Sequence, residues 1–216
     1  MLEVWGLEKD LNDLLNELIR GSSSVIVSSD PEEPFVIIDR GSEGLAFLAP
    51  GPEESFSVIS ITLSMIASLE TVLQESFRGY VGRNAILTIA CGDPDHFYAH
   101  LWDVKRRGRR LYYGYEKAHY LLLVSRIYWC IENWGYVSMV LRSFTRRYDR
   151  RTGLPVKQLR GFILERSEGG LKLEKVQLED LIQAHTTDPK TGERLPPEPS
   201  IEYCYEQDCI SSDEIR

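Results

Sequence analysis

Between Glu116 and Asn133 the chain carries apolar side chains on most faces of a helix, through Tyr120, Leu121, Leu122, Leu123, Val124, Ile127, Tyr128 and Ile131. A helix that apolar must be buried. Ser125 and Arg126 interrupt the run, which falls short of the roughly 20 apolar residues that cross a bilayer. The helix therefore predicts a buried core segment, and Gly135 supplies its stop.

What could pack around it is read from the periodicity on either side. Residues 2–20 place Leu7, Leu11, Leu14, Leu15, Leu18 and Ile19 on one helical stripe, with Gly21 behind them. Short apolar runs at 24–27, 35–38 and 45–48, parted by Pro, Asp and Gly, predict a small antiparallel meander. Helical spacing returns from Ser57 to Phe77, although the Ser- and Ile-rich start also suits a strand. Ala85 to Ala90 predicts a strand, Gly92-Asp93-Pro94-Asp95 a turn and His96 to Lys105 a second strand.

Beyond the buried helix come strands at 136–145, 159–165 and 171–176, then a short helix at 178–184. Past Thr186 a Pro-rich linker leads into an acidic tail, expected to be mobile or docked on a partner. These elements define an α+β class with a mixed central sheet flanked by helices. Three regions follow: 1–82 (helix, small β-meander, second helix), 83–185 (the αβ core) and 186–216 (a flexible acidic tail).

With 43 % hydrophobic and 27 % charged residues, neither a disordered nor a fibrous chain is expected. The N-terminus lacks a basic segment followed by an apolar one, so the reading is cytoplasmic with no membrane partner. Cys91, Cys130, Cys204 and Cys209 are expected as reduced thiols, since a chain of this length does not need disulfides to hold a core. An excess of Arg over Lys gives a thermophile flavour, which raises the prospect of intracellular disulfides.

The net charge of −8 conceals a segregation. Residues 1–100 carry 5 basic and 16 acidic side chains, residues 101–160 carry 14 and 4, and residues 161–216 carry 6 and 13. A concentrated basic surface can bind polyanions even on an acidic protein. Arg106, Arg107, Arg109 and Arg110, followed by Tyr112, Tyr113 and Tyr115, combine phosphate-seeking guanidiniums with rings on which bases could stack. Arg146, Arg147, Arg150 and Arg151 form a second basic group at a later turn. The partner expected is nucleic acid, DNA over RNA. Solvated loops that merely neutralise the acidic ends are the plain alternative.

Asp103-Val104-Lys105 closes the second strand, so that Asp103 and Lys105 fall on one face. With the order strand, turn, strand, basic loop, buried helix and strand, this segment from Arg83 to about Val176 resembles the core of the PD-(D/E)xK nucleases. That restriction-endonuclease-like group includes the archaeal Holliday junction resolvases. The resemblance implies that Asp95, in Pro94-Asp95, and Asp103 hold Mg²⁺ through oxygen ligands, and that Lys105 positions the attacking water. Eight strand steps would set the two carboxylates ~26 Å apart. With a turn at Asp93-Pro94 the residue opposite Asp103 is Asn84, and Glu70 or Glu75 is then the remaining source of an acid. His96 and His100, four apart on a strand, lie ~13 Å apart, too far for one metal.

The rival reading is an interaction or assembly protein that self-associates or docks in a larger complex through its acidic segments. Trp134 beside Gly135 is read as core packing at a helix end.

Overall fold

The computed structural model describes residues 9–28, 34–51, 56–77, 85–92, 98–107, 110–113, 117–149, 155–177 and 209–211. The expected helix at 178–184, together with Asn84, Asp95, His96 and Arg109, lies outside these residues. The class is α+β.

The first helix, α1 (Lys9–Ile19), is followed by four strands, β1 (Ser24–Val27), β2 (Val36–Asp39), β3 (Leu45–Pro50) and β4 (Phe56–Ile61). They pair in that order as a four-stranded antiparallel sheet, here sheet A. Alternation along its strands sends Val36, Ile38, Ala46 and Leu48 to one side, where they pack with Leu15 and, at their margin, Leu18 and Ile19 of α1. Ile37, Leu45, Phe47, Ala49, Ile59 and Ile61 go to the other side. β2 is buried at all four positions. That is why Val36–Ile38 reads as an unbroken apolar run: both faces of β2 are covered.

The segment from Ser57, read as helical with a start that also suits a strand, is divided in that way. β4 ends at Ile61, and Thr62 caps α2 (Leu63–Phe77), its Oγ1 accepting the Met65 N–H at 3.3 Å. A threonine hydroxyl can satisfy an N–H that the first helical turn leaves orphaned. Gly44 governs the approach of β3 to β4. Its φ is +101°, and a Cβ there would stand 2.0 Å from the Ile61 carbonyl oxygen, so only glycine fits.

The second sheet, sheet B, contains β5 (Ala85–Cys91), β6 (Tyr98–Arg107), β7 (Arg110–Tyr113), β8 (Tyr136–Asp149), β9 (Pro155–Ser167), β10 (Gly170–Val176) and β11 (Cys209–Ser211). Its order is β10-β9-β8-β5-β6-β7, with β11 added to β8. Every described pair is antiparallel, so the expected mixed sheet is corrected. The cause is the helix α3 (Lys117–Trp134), which enters after β7. Its 18 residues span ~27 Å at ~1.5 Å per residue, close to the ~23 Å from the level of Ala85 to that of Gly92. Gly135, at φ +81°, then reverses the chain, and β8 returns against β5 in the opposite sense. The Tyr136 hydroxyl donates to the Gly92 carbonyl at 3.1 Å, which marks the far end of that journey.

α3 packs on β2, β3 and β4 of sheet A and on β5, β7, β8 and β9 of sheet B. Residues 123–131 are all buried, as its composition predicts. Arg126, 3 % exposed, lies with its guanidinium 5.5, 5.4 and 5.9 Å from the ring centres of Phe35, Phe47 and Trp129. Ring faces carry negative charge density and favour a cation held there. The Tyr128 hydroxyl donates to the Met65 carbonyl at 2.7 Å and ties α3 to the start of α2, and burial pushes its pKa up to about 12. Phe77 at the end of α2 meets Phe162 of β9 edge to face. No helix of the described residues is long and apolar enough to cross a membrane.

Two contacts clamp α3 at its ends. At its first residue, Lys117 donates to Asp39 Oδ2 at the end of β2, and the Gly41 N–H donates to Oδ1. Toward the other end, Cys130 and Cys91 of β5 form a disulfide with their Cα atoms 5.7 Å apart. The expectation of reduced thiols is thereby corrected for this pair, because α3 lays residue 130 directly over the end of β5.

Two outcomes follow. The disulfide closes a 39-residue separation, for which chain entropy gives a stabilisation of about 4 kcal/mol. Cys130→Ser should lower the unfolding free energy by about 2 to 4 kcal/mol in a denaturant titration under oxidising conditions, and an unchanged midpoint would refute the link. The Lys117 ammonium, hydrogen-bonded to Asp39, holds its carboxyl below the ordinary range; burial opposes the shift and the Gly41 N–H supports it. Its contribution is thus complete above about pH 4 and is lost as the pH falls through the lowered value. In Asp39→Asn that acid-side loss of stability should be absent from the pH profile.

Candidate functional site

Antiparallel register determines which strand positions share a face. Ala85, Leu87, Ile89 and Cys91 of β5 pack in the core that contains α3, so positions 86, 88 and 90 belong to the opposite, outer face. Ile86 is paired with Asp103 on one side and with Arg142 on the other. Asp103 and Lys105 therefore occupy neighbouring positions of one face, as their spacing predicts. Arg107, Arg110 and Tyr112 share that face through the pairs Arg107↔Arg110 and Lys105↔Tyr112. Arg106 alternates to the other face. His100, paired with Ile89, occupies the α3 side.

The residue opposite Asp103 is Ile86 rather than Asn84, because the β5–β6 hairpin is centred one residue later than its turn residues suggest. The described row reads Asp103, Ile86, Arg142, Leu159. It contains one carboxylate position and one cationic position. Mg²⁺ takes oxygen ligands, usually one or two carboxylates with water or phosphate, and this row does not fit that demand. Of the other acids considered, Glu70 accepts a hydrogen bond from the Tyr120 hydroxyl. Glu75 is exposed on α2, which packs along β10 at the sheet edge remote from β6. Among the described residues no group of three or more His, Cys, Asp and Glu stands together.

The middle of the outer face is closed, with Thr88, Ala90, Ser138 and Val140 all buried and the Ser138 hydroxyl donating to the Ala90 carbonyl at 2.9 Å. The end of the sheet differs. β5 begins at Ala85, which is paired with Val104 of β6 and Ser143 of β8. Both neighbours run on past that level: β6 to Arg107 before turning into β7, and β8 to Asp149 before returning as β9. Two hairpin arms thus leave the sheet at one end, with the width of a single strand between them. At 4.8 Å per strand their axes are ~10 Å apart where β5 begins.

The described parts of the two basic groups fall on the arms: Lys105, Arg106, Arg107 and Arg110 with Asp103 on β6 and β7, and Arg142, Arg146 and Arg147 with Asp149 on β8, while Arg109, Arg150 and Arg151 lie outside the described residues. Arg107 lies three positions beyond the level of Ala85, and Arg146 and Arg147 lie three and four beyond it. Lys157, paired with Phe144, joins the outer face of the second arm. The arrangement is suited to hold two runs of anionic oxygen at once.

Sequence reasoning did not single out Arg142 or Lys157, whose places depend on the pairing of β8 with β5 and β9. It also read residues 186–216 as flexible, whereas Cys209–Ser211 forms β11, paired with Arg147–Asp149 of β8. Nothing local marks that segment as a strand except Ile210 between small residues. Comparison of the chain with protein-family models, with curated proteins and with solved structures finds no match.

Proposed function

We propose that this chain, which no comparison assigns to a family, binds nucleic acid through the paired basic arms of sheet B, with double-stranded DNA as the preferred partner. The observation that carries the reading is the convergence of two sequence-distant arginine groups at one sheet end. Two cationic groups gathered at one sheet end give a protein of net charge −8 a local surface that can bind a polyanion despite that charge. A two-stranded ribbon fits the major groove of B-form DNA, about 12 Å wide, whereas the deep, narrow groove of A-form RNA does not admit one. Lys and Arg supply phosphate contacts that position the duplex without reading sequence.

Binding without hydrolysis is the form of this reading that the register of Asp103 supports. With Ile86 and Arg142 at the paired positions of its row, the position of Asp103 has no second carboxylate position beside it for a Mg²⁺ ion to share. Lys105 then serves as a phosphate contact. The nuclease-like resemblance is tested in the same experiment.

Labelled duplex, junction, single-stranded DNA and RNA are titrated with the chain across a range of salt, with and without Mg²⁺. Affinity should fall linearly in a double-logarithmic salt plot. Replacing Arg106, Arg107, Arg146 and Arg147 together by alanine should reduce the slope by about 3 to 4, since each lost phosphate contact removes ~0.9. An unaltered slope places the interface elsewhere. Mg²⁺-dependent cleavage abolished by Asp103→Asn would instead establish the nuclease, and the absence of any binding, with a mass that rises with concentration, would favour the assembly reading.

A further inference from the structure

We infer that the Cys91–Cys130 disulfide is locked by the fold: a thiol reductant reaches it only when the Gly135 end of α3 opens, so the folded chain keeps the bond in surroundings that reduce the same pair in an unfolded chain. The lock concerns α3 and β5 and is independent of what the basic arms bind.

Both half-cystines belong to the core. Cys91 is 1 % and Cys130 3 % exposed, and they share an apolar cluster with Ile89 of β5, Ile127 and Ile131 of α3, and Val137 and Met139 of β8. Trp134, one helical turn beyond Cys130, packs against the margin of that cluster, and a helical side chain lies over the turn that precedes it. The strands close the same end. Tyr136, the first residue of β8, donates its hydroxyl to the carbonyl of Gly92, the residue after Cys91. Asn133 adds a tie to sheet A, its Nδ2 donating to Ser57 Oγ at 3.4 Å. The disulfide is thus enclosed where α3, β5 and β8 are already held together.

The chemistry of reduction meets this enclosure twice. A dithiol reacts as its thiolate, which attacks one sulfur and expels the other as a second thiolate; the reagent's remaining thiol then displaces the first cysteine. The reagent ends as a cyclic disulfide, and two electrons and two protons have passed to the chain. Both the attacking and the departing groups are anions, and apolar side chains do not solvate an anion. Access and charge therefore oppose the reaction together while the end stays closed.

The equilibrium is biased in the same sense. Folding and bond formation make a closed cycle, so the factor by which the bond stabilises the fold is also the factor by which the fold favours the bond over two thiols. For a separation of 39 residues that factor is about 30- to 1,000-fold.

The full-length chain carrying Cys204→Ser and Cys209→Ser keeps this pair as its remaining cysteines. It is oxidised, exposed to dithiothreitol, quenched with iodoacetamide and weighed. Thiols should appear roughly a hundredfold or more slowly in the native chain than in one unfolded by guanidinium. In glutathione buffers, the ratio of squared thiol to disulfide at half reduction should be higher for the native chain by about 30- to 1,000-fold. Tyr136→Phe removes one hydrogen bond at the closed end and should speed native reduction about fivefold, whereas Asp39→Asn, at the opposite end of α3, should change it by less than about twofold. Equal rates or equal ratios in native and unfolded chains would overturn the lock, as would two free thiols after oxidative refolding. Equal acceleration by the two variants would overturn the placing of the opening at the Gly135 end.

Discussion

α3 is apolar nearly all round, and sheets A and B each bury one of its sides, so neither sheet completes a core without it. The consequences spread outward. Sheet A must present apolar side chains on both faces, one to α3 and one to α1, which is why Val36, Ile37 and Ile38 are all buried. Sheet B must send alternate positions of β5 and β8 toward the helix. The Asp39–Lys117 pair and the Cys91–Cys130 disulfide then hold the two ends of α3 to different sheets. Even the charge at Arg126 is accommodated within this layer, among the rings of Phe35, Phe47 and Trp129.

The same helix accounts for the direction of β8 and, through it, for the cationic end. Because α3 runs the length of β5 before Gly135 turns the chain, β8 starts at the far end and travels back to where β6 has finished. Its outgoing half therefore emerges beside the β6–β7 hairpin. Had the crossover returned the chain in the parallel sense, the second arginine group would lie at the opposite end of the sheet from the first. The functional proposal is thus a consequence of topology, with arginines more than thirty residues apart gathered by one reversal.

Local chemistry was legible wherever a short stretch decides the outcome. The stripe of Leu15, Leu18 and Ile19 on α1, the alternation of the meander and the stop at Gly135 are set by neighbours in the chain, and the structure bears them out; the turn read at 92–95 lies outside the described residues beyond Gly92. Thr62 shows the limit: the Ser- and Ile-rich start suits a strand as well as a helix, and only the pairing of β4 with β3 decides for the strand and fixes Thr62 as the helix cap. The row around Asp103 shows the same limit at the site. A shift of one residue in the hairpin exchanges Asn84 for Ile86, and turn composition cannot resolve a single residue.

Alone, the sequence established that a helix had to be enclosed, that short strands and a second class of helix surrounded it, and that basic residues were concentrated in one middle segment. These are properties of spacing and composition, and they survive any arrangement of the elements. Tertiary structure alone decided that the sheet is antiparallel, that Cys91 meets Cys130, that the two arginine groups share an end, and that three residues of the acidic tail lie beside β8. Each of those depends on contacts between distant parts of the chain, where the free energy of pairing is decided by what else is already packed rather than by the residues themselves.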